Sequence, residues 1–65
     1  MERQTLASLK ARAARVDTYV LNEAAQWLDE QFGEAILVDE AQPWELVLWM
    51  DRYYPGGWAA FLRSI

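Results

Sequence analysis

Residues 6–33 run LASLKARAARVDTYVLNEAAQWLDEQFG, and this stretch decides the fold. Leu6, Leu9, Ala13, Val16, Val20, Ala24 and Trp27 follow one another in steps of three or four, which sets them on one stripe of an α-helix. A second stripe of Leu21, Ala25, Leu28 and Phe32 joins it, widening the apolar sector toward the C-terminal half. The many alanines favour helix. Gly33 stands where a glycine in left-handed conformation ends a helix. The spacing therefore predicts one long N-terminal helix from about Arg3 to Phe32, with its second half the better buried. Asp17 is the awkward residue, because at about 100° per residue it projects beside Ala24 and Leu28. Asp is a favoured N-cap, and Val16, Thr18 and Val20 are β-branched. The alternative is thus a break near Asp17 into helices over 2–16 and 18–32.

Outward from this segment, Glu34 to Glu40 holds Ala-Ile-Leu-Val between acids, a run without periodicity that predicts an extended connector. Pro43 suits a first helical position, where its missing N–H is not needed. Residues 44–53 then make three turns, stopped by Pro55 and Gly56-Gly57. Trp58, Phe61, Leu62 and Ile65 fall at i, i+3, i+4 and i+7, giving a short third helix over 58–64 with Gly57 as N-cap. The expectation is a single all-α domain over 1–65, in which the two shorter helices fold back on the long one. Val20, Ala24, Trp27, Leu28 and Phe32 should meet Leu46, Val47, Met50, Trp58, Phe61 and Leu62.

The composition excludes much chemistry. The chain contains neither Cys nor His, so disulfides and the common zinc sites are closed off. Ser8, Ser64, Thr5 and Thr18 lack the basic partner that activates a nucleophile. Gly56-Gly57 follows Pro55 as a turn, not as a phosphate-binding loop. Asp29 to Glu40 has the acids of a calcium loop at its first and twelfth positions, but Glu34 replaces the sixth-position Gly and Ile36, Leu37 and Val38 interrupt the ligands. Asp29, Glu30, Glu34, Asp39 and Glu40 could supply a carboxylate pair, yet nothing fixes their spacing. The sequence points to no catalytic residue, no metal and no cofactor, and so to a binding protein.

The net charge of −4 conceals an uneven layout. Residues 1–15 carry Arg3, Lys10, Arg12 and Arg15 against Glu2, whereas residues 16–51 carry nine acids and no Lys or Arg. A surface built only for solubility usually mixes signs. Glu23, Asp29, Glu30, Glu34, Asp39 and Glu40 therefore form a candidate acidic interaction surface that attracts basic sites and repels nucleic acid. Arg12 and Arg15 lie away from Lys10 on a helical wheel, which argues against direct nucleic-acid binding.

The second candidate is aromatic. In the helix from Pro43, apolar residues at 44, 46–50 and 53 wrap nearly all the way round, and a fold this small should cover one face only. Trp44, Trp49, Tyr53 and Tyr54 are then left for a protein partner or a homo-oligomer. The apolar runs, 35–38 and 46–50 among them, are far below the roughly 20 residues of a membrane span. No secretion signal is evident, so a cytoplasmic location is expected.

Tyr54-Pro55-Gly56-Gly57-Trp58 with its following apolar helix, in an Ala-rich chain that prefers Arg to Lys, resembles small reading frames of GC-rich bacteria and their phages. The resemblance covers about a dozen residues. It is compatible with a phage-encoded inhibitor or adaptor.

Overall fold

Each of the four α-helices among the described residues starts where a side chain accepts a backbone N–H. The structure is a computed structural model that describes residues 5–65. Helix α1 spans Leu6–Ala14, and its first turn is capped by Thr5, whose Oγ1 accepts the Ser8 N–H at 3.1 Å. Helix α2 spans Thr18–Phe32, with Asp17 as N-cap accepting the Val20 N–H at 3.1 Å. In α3, Pro43–Tyr53, Glu45 at the third position reaches back to accept the Gln42 N–H at 3.0 Å. Helix α4, Gly57–Ser64, is capped from outside: Asp51 on α3 accepts the Trp58 N–H at 3.1 Å. Orphan donors at helix starts take such partners because buried or crowded N–H groups are costly to leave unpaired.

The expected long N-terminal helix is corrected to two helices. Asp17 is extended, with φ −86° and ψ 174°, so its carboxylate caps α2 and the chain turns between α1 and α2. Its place in the apolar sector is that of a residue that starts a helix, not of a charge inside one. We expect Asp17→Ala to lower stability by about 1 kcal/mol, the usual worth of such a cap. Chemical denaturation checks this, and an unchanged midpoint would contradict the role.

The break lets two helices cover different sides of α3, the central element, which packs against α1, α2 and α4. Leu46, Val47 and Met50 of α3 are buried against Leu9 and Ala13 of α1, Ala24 and Leu28 of α2, and Trp58 and Phe61 of α4. Two expectations change with it. The first half of the N-terminal segment is as much part of the core as the second, through Leu9 and Ala13. The apolar girdle of α3 is explained largely by its central position, since a helix that is apolar all round is one packed on several sides. Trp44, Leu48 and Trp49 are half-buried against the core, and Tyr53 remains exposed. Leu62, placed in the core by its spacing, lies on the surface, and Val20, Trp27 and Phe32 are only partly covered.

Beyond Phe32 the chain stops its helix at Gly33, at φ 57° and ψ −132°. The predicted extended connector is instead two short 3₁₀ turns, 33–35 and 38–40, separated by Ile36 and Leu37. Ile36 and Val38 pack against the core and Leu37 points out. The helix α4 begins one residue earlier than its spacing predicts, and its N-cap is Gly56, in the left-handed region. Among the described residues no helix is long and apolar enough to cross a membrane.

Candidate functional site

The acids of residues 16–51 divide by what they do. Asp17, Glu45 and Asp51 each accept a backbone N–H at a helix start and so belong to the fold. The other six are the candidate acidic surface. Glu30 accepts a long hydrogen bond from Gln26 at 3.5 Å. Among the described residues the side chains of Glu23, Asp29, Glu34, Asp39 and Glu40 form neither ion pair nor hydrogen bond. All of the six are exposed except Glu23, which is half-buried.

The structure places these six on two regions. Asp29 at the end of α2 and Glu34, Asp39 and Glu40 of the connector surround one hollow, lined also by Gly33, Ile36, Leu37 and Val38. The 3₁₀ turns make this convergence, because they fold the connector back beside the last turn of α2. Glu23 and Glu30 lie on another face of α2, beside a separate hollow with Trp27, Tyr54 and Phe61. No three acids among the described residues come together in a way that could hold a metal ion. The carboxylates thus form a field of like charge, suited to attracting a cationic surface.

The aromatic candidates separate too. Tyr54 turns inward: its ring centroid lies 5.1 Å from that of Trp27 and 5.4 Å from that of Phe61, both edge-on. Its hydroxyl is 3.1 Å from Ser64 Oγ, which itself donates to the Phe61 carbonyl at 2.8 Å. Tyr54 is part of a ladder of rings from Tyr53 through Phe32, Trp27, Tyr54 and Phe61 to Trp58, which ties α2, α3 and α4 together. Trp44 stands with Lys10, Ala13, Ala14, Leu21 and Pro43 around an apolar hollow of about 320 Å³. Trp49 and Tyr53 face a different groove of about 480 Å³, walled opposite by Ala35, Ile36, Leu37, Glu40 and Ala41.

That groove and the acidic hollow share Ile36, Leu37 and Glu40, so one ridge separates the two. Acidic and aromatic surfaces, expected from the sequence as separate candidates, meet there. Leu37 was not among either set of candidates, yet its side chain is 63% exposed at the top of the ridge. The signal for it is an apolar run bracketed by acids, Glu34 and Asp39-Glu40, too short for periodicity to place.

Among the described residues the cations do not gather in one place. Arg12 and Arg15 line a hollow with Val16, Asp51, Trp58, Ala59 and Leu62, while Lys10 stands beside Trp44. Comparison with known protein families, characterised proteins and solved structures gives no match to the chain.

Proposed function

We propose that the chain is a non-enzymatic, acidic protein-binding module, an adaptor or inhibitor that docks its acidic face on a basic site of a larger nucleic-acid-handling protein. The observation that carries this is the division of labour among the acids. The fold uses three as caps, and five of the remaining six are exposed, four of them gathered around one hollow. Exposed like charges held close together repel one another, and a cationic partner relieves that repulsion while steering the encounter. A phage source and a cytoplasmic setting fit such an inhibitor.

The test is affinity capture from native host lysate with the wild-type chain and the Asp29→Lys, Glu30→Lys, Glu34→Lys triple variant in parallel. A partner held by the wild type at low salt, released at high salt and absent from the variant is expected, since exposed charge pairs are screened by salt. Equal capture by both chains would contradict the acidic docking face.

A second reading is a structural subunit that assembles through its aromatic surface, alone or in a larger complex. Tyr53, 44% exposed beside half-buried Trp49, favours it. Its signature in the same experiment is capture that resists salt, or recovery of the chain itself.

A further inference from the structure

We propose that the groove between α3 and residues 35–41 seats a basic amphipathic helix of a partner protein, with Leu37 and Tyr53 as its apolar anchors; this rests on the docking role above and adds the class of segment bound.

Glu45, Trp49 and Tyr53 recur every four residues along α3 and make one wall, about 12 Å long at the rise of an α-helix. That is the length of two helical turns. Leu37 rises on the opposite wall, and with Tyr53 it offers the largest exposed apolar contacts of the groove, at 63% and 44%. The charged residues lining the groove are Glu40 and Glu45, and beyond the shared ridge stand Asp29, Glu34 and Asp39. Arg52, the one cation of α3, is not part of the lining.

These features select the occupant. An apolar segment without cations would bring carboxylates against a low-dielectric surface unpaired, which is unfavourable. A hydrated polycation without apolar side chains would pair with the acids but leave Leu37 and Tyr53 in water. A helix with apolar residues at i, i+3 or i+4 and i+7, flanked by Lys or Arg, answers both requirements on one face. Among the described residues a second copy supplies that face poorly. Helix α1, with Lys10 and Arg12, buries Leu9 and Ala13 in its own core, and α4 sets a single cation, Arg63, beside exposed Leu62.

The probe is a synthetic peptide of Leu and Lys alone, about 14 residues long, patterned to place its leucines on one helical face. Its control has the same composition in an order that destroys the face. Binding to the full chain is followed by calorimetry and tryptophan fluorescence. The patterned peptide is expected to bind at least about tenfold more tightly than the control. The Leu37→Ser, Tyr53→Ser double variant is expected to lose about tenfold or more of that affinity, the worth of burying one large apolar side chain. Leu37 is exposed, whereas Tyr53 also packs on Phe32, so the melting curve is recorded alongside, and the Leu37→Ser single variant, which leaves that ring contact in place, is expected to lose about threefold or more of the affinity on its own. Equal affinity for the two peptides, or undiminished binding by the double variant, overturns the proposal. If capture from lysate is still lost on acid reversal in that case, the docking role stands and only the amphipathic-helix occupant fails. Sedimentation equilibrium showing a dimer that the double variant abolishes would assign the groove to a second copy and likewise overturn the proposal.

Discussion

Replacing Trp58 by Ala is expected to lower the unfolding free energy by about 3 to 5 kcal/mol, the usual range for truncating a large aromatic side chain in a core. Trp58 is 4% exposed, and its ring lies 5.6 Å from that of Phe61, which continues the ladder to Tyr54 and Trp27. It belongs to an eight-residue helix, too short to persist in water without tertiary packing. Trp58 and Phe61 are the only buried side chains of that helix, so losing one indole removes much of what docks it. A chain of 65 residues has a total stability of roughly 3 to 10 kcal/mol at typical values per residue. The variant should therefore be largely unfolded, or close to it, at room temperature. Denaturant unfolding followed by circular dichroism measures this; a loss below about 1 kcal/mol would mean that α4 does not pack as described.

Gly56→Ala is expected to destabilise by about 2 kcal/mol or more, from two causes that add. Gly56 has φ +86°, in the left-handed region, which costs an L-residue with a Cβ roughly 1 to 2 kcal/mol. A Cβ there would also stand 2.6 Å from Ala60 Cβ, and this neighbour is a methyl fixed to the helix backbone with no rotamer by which to move away. The turn must then open, shifting α4 away from Asp51 and weakening the bond from Trp58 N–H. Gly57 is under similar constraint, because its Cβ would meet Asp51 Oδ1 at 2.9 Å and the Asp51 carbonyl at 3.4 Å. Thermal melting of Gly56→Ala checks the expectation. A melting temperature equal to that of the wild type would contradict the tight turn.

The parts of the fold governed by local rules were legible. Pro43 and Pro55 bracket α3, whose observed bounds are those its sequence signals predict, and the core positions Ala24, Leu28, Leu46, Val47, Met50, Trp58 and Phe61 follow from their spacing. The break at Asp17 was legible only as an alternative. A cap there leaves the three-and-four spacing from Leu9 to Ala24 in phase, so periodicity cannot distinguish a bend from a continuous helix. That one ambiguity carried further. With a single long helix, the apolar girdle of α3 predicts a large uncovered surface; with α1 folded separately, most of it is core.

The site was legible as composition and not as geometry. Which acids are left over depends on which become caps, and Asp51 caps a helix other than its own, a contact across seven residues that no local pattern announces. Tyr54 looks like an interface residue in sequence, but the turn at Pro55 to Gly57 brings it between Trp27 and Phe61. Ile36 and Leu37 lie in a run of four apolar residues with no period, and two 3₁₀ turns decide that Ile36 packs inward while Leu37 is presented among the acids.

Hydrogen–deuterium exchange of the chain, alone and bound to the partner it captures, tests the docking face most directly. The account predicts slowed exchange on binding across residues 33–41 and the last turns of α2 and α3, with α1 unchanged. Protection confined to α1 and α4, around Arg12, Arg15 and Leu62, with residues 33–41 exchanging as in the free chain, would contradict it.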